Sequence, residues 1–220
     1  MIGASVRGLV IVGAGGFGRE VWFTARDAHR AGLLTCPVVG FADSQRDATG
    51  ADGLPVDVLG DIDDINWGSE LGAVVAVGDP TIRADLRMRL DALAVPLVTV
   101  IHPTAVVADD AVVGAGTVIA PFAWVSTSTQ LGTNVVVNGH ALVGHHSVVG
   151  DDSVVSPHVS VSGHARIGER VLLGTHATVN PAVSIGDRCR VASGSVVVRD
   201  VEPHSLAAGA PAVSRVMYAS

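Results

Sequence analysis

Sixteen aliphatic residues stand six apart without a slip: Val107, Val113, Ile119, Val125, Leu131, Val137, Val143, Val149, Val155, Val161, Ile167, Leu173, Val179, Ile185, Val191 and Val197. Ile101 extends the register one step earlier. A helix repeats every 3.6 residues and a strand every 2, so neither alone makes a period of six. A sustained six-residue period marks a parallel β-helix. Two residues before each anchor stands a small or β-branched residue, as Ala111 stands before Val113. Side chains alternate along a strand, so that pair points inward while Val112 points out. The residue after the anchor is often Gly or Asn (Gly114, Gly132, Gly144, Gly150, Gly168, Gly174, Gly186, Asn138, Asn180). These types tolerate positive φ, so each hexad reads as a short strand closed by a tight turn there. Three hexads per triangular coil give about 18 residues per coil, and the run makes about five coils, on the order of 25 Å tall.

Hydrophobic residues are 48% of the chain but aromatic ones only 4%. That balance suits a narrow core of Val and Ala. The net charge is −7, and all 14 basic residues are Arg. Such a surface argues against general nucleic-acid binding. Cys36 and Cys189 are too few for a disulfide framework, and Cys189 falls on an inward position of the hexad. They point to a reducing cytoplasm. The apolar start of the chain is broken by the glycines from Gly13 to Gly18, then by Arg19 and Glu20. Neither a signal peptide nor a membrane span is expected.

Before about residue 101 the hexads are absent and the pattern is strand, glycine turn, helix. Strands are expected over 8–12, 37–42, 73–77 and 97–101, with helices over 19–31 and from Pro80 to about Leu93. Strands alternating with helices imply a small parallel α/β sheet. Gly13-Ala14-Gly15-Gly16-Phe17-Gly18 is a G-x-G-x-x-G turn after the first strand. Such a turn brings backbone close to a pyrophosphate at a helix N-terminus. Asp43 ends the second strand, where an acid meets a ribose or base. NAD is the usual ligand of this motif, but no second domain for hydride transfer follows. A structural turn is the plain alternative.

Several segments together carry a family resemblance: GAGGFGRE, VAVGDPTIR, VIHPTAVV, LVGHHSVVGDDSVVSP and the closing AAGAPA. The chain resembles the NeuD-type sugar acyltransferases. These comprise sialic acid O-acetyltransferases and N-acetyltransferases of nucleotide-linked amino sugars. The resemblance covers almost the whole chain. It implies a Rossmann-like α/β domain with a small parallel sheet over residues 1–101, then an all-β left-handed parallel β-helix over 102–220. The left hand comes from the resemblance alone, because parallel crossovers in general favour the right. It further implies a nucleotide-linked sugar held by the first domain, acetyl-CoA along the coils, and a homotrimer. Gly13, Gly15, Gly16, Phe17, Asp43 and Asp79 are the nucleotide-sugar candidates.

His145 matches the catalytic His of the family. An imidazole accepts a proton near neutral pH, so the sugar amine or hydroxyl would attack the thioester directly. The resemblance assigns the oxyanion to the backbone N–H of Gly163. It assigns coenzyme A to Ala192, Ser193, Gly194, Gly209 and Pro211. Two positions depart from the family. His146 stands where an acidic residue often follows the catalytic His, so His146 is itself a candidate base, with Asp151 or Asp152 as candidate partners. Phe17 stands where a His often sits. His140, His158 and His176 lie 18 apart, as do His146 and His164, so each set is expected to stack on one corner.

Two rival classes use the same coils. A γ-type carbonic anhydrase would draw on His140 and His145, but Thr104 stands where its third ligand is needed. A non-catalytic sugar-nucleotide binder would lack the catalytic His, which is present. N-acetylation of a nucleotide-linked amino sugar is the favoured reading and sugar O-acetylation the alternative. Direct transfer needs no metal.

Overall fold

A computed structural model describes residues 6–44 and 53–217. The N-terminal unit is a four-stranded parallel sheet in the order β3-β2-β1-β4, with β1 at Gly8–Val12, β2 at Val38–Ala42, β3 at Val58–Gly60 and β4 at Leu71–Val75. Every residue of β1 is buried, which is why it reads as one unbroken apolar run. Helix α1 spans Gly16–Arg30 and α2 spans Pro80–Ala92. Helix α1 starts inside the glycine turn, three residues before the expected Arg19. The three-residue β3 is too short to leave a periodic signal. Residues 97–101 do not form a fifth strand of this sheet. Leu97 makes one bridge to Ala73, and Val100–Ile101 pairs with Val118–Ile119 in the first coil.

From Val100 the chain winds into two-residue parallel strands on three faces. The first face carries Val100–Ile101, Val118–Ile119, Val136–Val137, Val154–Val155, Leu172–Leu173 and Arg190–Val191. The second carries Val106–Val107, Trp124–Val125, Leu142–Val143, Ser160–Val161, Thr178–Val179 and Val196–Val197. The third carries Val112–Val113, Gln130–Leu131, Val148–Val149, Arg166–Ile167 and Ser184–Ile185. A closing hairpin, Ser205–Gly209 and Ala212–Val216, joins the first face. The anchors and their small partners fill one core from Ile119 to Ala207.

The turns correct one expectation. Positive φ falls on the third residue after the anchor, not the first. Phe122, Ser128, Asn134, His140, His146, Asp152, His158, His164, Arg170, His176, Ala182 and Arg188 all have φ between 55° and 61°. Coil-to-coil hydrogen bonds offset that strain: His146 N–H donates to Thr127 O at 3.0 Å and His164 N–H to His145 O at 2.9 Å. The glycines after the anchors serve another purpose. A Cβ at Gly150 would lie 2.6 Å from the carbonyl carbon of Gly168, and one at Gly174 would lie 2.7 Å from Ser193 N. Close passage of the next coil, not backbone conformation, excludes a side chain there.

The first face packs against the N-terminal unit. Its outward residues Val100, Val118, Val136 and Val154 share one core with Leu9, Ile11, Val21, Phe41 and Val74. Burying each such valine contributes roughly 1.5–3 kcal/mol. Polar contacts fix the register of this packing. Arg83, fully buried, donates to the carbonyls of Val75 (2.9 Å), Val77 (3.0 Å) and Asn134 (2.7 Å) and to the Asn134 side-chain oxygen (2.7 Å). Asn134 donates to Asp152 at 2.8 Å, and the Arg87 fork grips the same carboxylate at 2.9 and 2.8 Å. Burial pulls the Arg83 guanidinium down, to about 9, and the Asp152 charge counteracts it.

Candidate functional site

The glycine turn follows from where β1 must hand over to α1. Gly13 has φ +109°, and a Cβ there would lie 2.8 Å from Ala76 O. Gly15 caps α1 with no side-chain bond, and the first turn of α1 holds no acidic residue. The N–H groups of that turn and the positive end of the helix dipole therefore face outward, an arrangement suited to an anion. Asp43 Oδ2 accepts from Ala14 N–H at 2.9 Å. Gly13, Gly15, Gly16, Phe17 and Asp43 all line one cavity of about 530 Å³, with Ser44 and Arg89 on its far wall. Arg89 pairs with Asp61 and Asp63. Asp79 does not line this cavity. Its Oδ1 caps α2 at Thr81 N (2.9 Å) and Ile82 N (3.2 Å), and its Oδ2 meets Arg190 at 2.6 Å.

A second cavity, about 510 Å³ and mostly apolar, opens between α1 and the corner joining the first and second faces. Phe17 lines both cavities. Phe122, His140 and His158 form the outer wall of the second. They belong to a ring column along that corner: Phe122 on His140 (5.1 Å between centroids), His140 on His158 (4.9 Å), His158 on His176 (4.7 Å). The 18-residue spacing gives the histidines. Phe122 precedes His140 by the same interval, so its place at the head of the column was equally legible.

Ala192, Ser193 and Gly194 turn this same corner one coil further on. Gly194 has φ +71° with open space around its Cα. Ala192 N–H donates to Ala207 O at 2.9 Å, and Gly209 N–H to Ser195 Oγ at 3.1 Å. The closing hairpin thereby brings Gly209 and the cis Ala210–Pro211 peptide beside the turn.

His145 and His146 stand on the next corner, between the second and third faces, and both are exposed. The Nδ1 atoms of the two rings lie 3.2 Å apart. His164 stacks on His146 at 4.9 Å and meets His145 edge-on at 5.1 Å. Gly163 is pressed against His145: a Cβ there would lie 2.6 Å from His145 Nε2 and 2.6 Å from its Cε1. The Gly163 N–H makes no hydrogen bond among the described residues. Asp151 and Asp152 are engaged elsewhere, Asp151 with Thr133 N–H at 2.8 Å and Asp152 with Arg87 and Asn134. His146 stands where the family resemblance often has a carboxylate, and its ring is the group beside His145 Nδ1. His145 and the coenzyme A candidates occupy different corners, with the width of the second face between them.

Both cysteines are free and buried, and burial pushes both thiols up. Among the described residues no helix is long and apolar enough to cross a membrane.

The N-terminal domain model of PglD matches residues 8–90, and the bacterial transferase hexapeptide model (six repeats) matches residues 164–199. The acetyltransferase domain of PglB from Neisseria gonorrhoeae FA1090 is 31% identical, with a TM-score of 0.85, over 94% of this chain and 98% of that one. It has also been solved in complex with acetyl coenzyme A. PerB from Caulobacter crescentus, solved in complex with CoA and GDP-perosamine, is 29% identical, with a TM-score of 0.86, over 96% of this chain and 98% of that one. WeeI from Acinetobacter baumannii AYE shares the fold at 24% identity and a TM-score of 0.81, over 94% of this chain and 99% of that one. Sequence comparison with curated proteins finds no match.

Proposed function

Because the chain belongs to the hexapeptide-repeat sugar acyltransferases with a PglD-type N-terminal domain, we propose that it moves an acetyl group from acetyl-CoA to the amine of a nucleotide-linked amino sugar. The chain is an acyltransferase of left-handed β-helix type, and acetyl-CoA is its donor. PerB supplies the precedent for the acceptor class.

The observation that carries the chemistry is the pose of His145. Its Nδ1 faces His146, which leaves Nε2 against Gly163 beside an N–H without a protein partner. With Nδ1–H donated to His146, Nε2 holds the lone pair that a base needs. The sugar nitrogen attacks the thioester carbonyl carbon and its proton passes to His145 Nε2. The carbonyl oxygen gains charge and accepts the Gly163 N–H. The carbon–sulfur bond then breaks, and coenzyme A leaves as thiolate and takes up the proton held by His145. No acyl-enzyme forms. His146 acts as a positioning residue, holding the tautomer that the missing carboxylate holds elsewhere in the family.

In this reading the nucleotide lies in the cavity of Gly13, Gly15, Gly16, Phe17 and Asp43, its phosphates on the N-terminus of α1. Asp79, outside the lining of that cavity, caps α2 and meets Arg190 of the coils. The coenzyme lies along Ala192, Ser193, Gly194, Gly209 and Pro211. The functional division falls near residue 101, the α/β unit holding the acceptor and the coils the donor. One copy leaves His145 a face away from both ligands. A homotrimer, closed by rotation about one axis, supplies the His145 corner of a neighbour to each acceptor. Free cysteines and the supply of acetyl-CoA are consistent with work in the cytoplasm.

A thermal-shift series with acetyl-CoA, UDP, GDP, TDP, CMP and NAD tests the two sites. A ligand at a hundredfold excess over its dissociation constant stabilises the folded state by about 2.7 kcal/mol. Stabilisation by acetyl-CoA and by one nucleoside phosphate is expected. A response to NAD with none to acetyl-CoA would overturn the reading.

A further inference from the structure

His146 replaces a carboxylate with a third kind of group, a neutral metal ligand, and it does so next to two more. One nitrogen from each of His145, His146 and His164 lies within 4.8 Å of the others. Nδ1 of His145 and Nδ1 of His146 are 3.2 Å apart. Two ligands of a tetrahedral Zn²⁺ with bonds of about 2.0–2.1 Å stand roughly 3.4 Å apart. That pair therefore stands close to the required separation, and His164 has to close by up to about 1.4 Å. All three rings are exposed, which leaves them room to turn out of the His146–His164 stack and bring their nitrogens onto one ion. The backbone beneath them is fixed: His164 N–H is bonded to His145 O, and His146 N–H to Thr127 O. Asp110, on the same corner, accepts from the Ser128 N–H at 3.0 Å and from its hydroxyl at 2.9 Å. It adds negative potential to a site of neutral ligands.

We propose that His145, His146 and His164 form a Zn²⁺ site, three imidazoles with solvent completing the tetrahedron, and that occupancy switches the transferase off. Coordination takes the Nδ1 lone pair of His145. The ring proton then resides on Nε2, so no proton is lost and Nε2 no longer accepts one. The inhibitory consequence rests on His145 being the base; the metal site itself does not.

The test uses full-length, tag-free protein stripped with a chelator and titrated calorimetrically with zinc chloride. His164→Asn is the test variant, because Asn134 already occupies the equivalent left-handed position in this fold. His204→Asn, at a histidine outside the cluster, is the control. One Zn²⁺ per chain is expected for the parent and the control. Changes outside a metal's own ligand set cost about 10–100-fold in affinity, so loss of a ligand in His164→Asn is expected to weaken binding at least about tenfold. Acetyl transfer by the parent should fall on zinc addition and return with chelator, while His164→Asn keeps its metal-free rate in zinc. Equal zinc affinity in the parent and His164→Asn, or no stoichiometric binding, overturns the site. Zinc binding that depends on His164 without loss of activity supports the site and instead refutes His145 as the base.

Discussion

At the scale of single residues, the pose of His145 is set by what its neighbours lack. Gly163 has no side chain, and the imidazole occupies the space where one would be. Gly163→Ala is backbone-compatible, since Gly163 is outside the left-handed region. Its methyl group displaces the ring, so the expected outcome is a kcat loss approaching that of His145→Ala with little change in melting temperature. A Gly163→Ala enzyme of full activity would show that the ring does not work from this pose. His145→Ala removes the imidazole proposed as the base and is expected to lower kcat by about a hundredfold to ten-thousandfold, with KM for acetyl-CoA nearly unchanged. Steady-state kinetics on both substrates read this directly. The sequence pointed to His145 by resemblance and to both histidine columns by their 18-residue interval. The same interval places Gly163 one coil beyond His145, and the resemblance named its N–H; what the sequence did not carry is that the His145 ring fills the space over Gly163, because the direction a turn side chain takes is set by its neighbours.

At the scale of elements, the six-residue period made the coils legible to the residue, down to the outward Val112 and the inward Ala111. The turn chemistry was misread for a physical reason. Glycine serves two purposes, positive φ and close approach, and sequence alone does not separate them. Here mostly non-glycine residues take the positive φ, three after the anchor, with Gly116 and Gly194 the glycines among them, while the glycines directly after the anchors permit close approach. The distinction has a measurable result. Gly150→Ala places a methyl group against the Gly168 backbone and is expected to cost about 1–3 kcal/mol by overpacking, seen as a lowered denaturant midpoint. If positive φ were its reason for being glycine, Gly150→Asn would be tolerated; the present account has it destabilise at least as much as Ala.

For the whole molecule, the join between the α/β unit and the coils was the part least visible in sequence. The outward valines of the first face look like those of any other face until a second unit covers them. Arg83 looks like a surface residue of an amphipathic helix, yet it is buried and answers four oxygens, two in its own unit (Val75 and Val77) and two across the join, both of Asn134. Arg83→Met leaves those acceptors unpaired and is expected to destabilise the chain by about 2–5 kcal/mol. A melting curve with unchanged midpoint would mean that the two units hold together without it. The join matters because it sets where the glycine-turn cavity lies relative to the Ala192–Gly194 turn. The most direct test of the transferase itself is product mass. The purified chain is incubated with acetyl-CoA and a panel of nucleotide-linked sugars, in which each amino sugar is paired with its hydroxyl analogue. The account predicts release of free coenzyme A thiol and the gain of one acetyl group by an amino sugar but not by its hydroxyl partner. Acetylation of the hydroxyl analogues with equal efficiency, or no transfer to any amino sugar while acetyl-CoA binds, would contradict it.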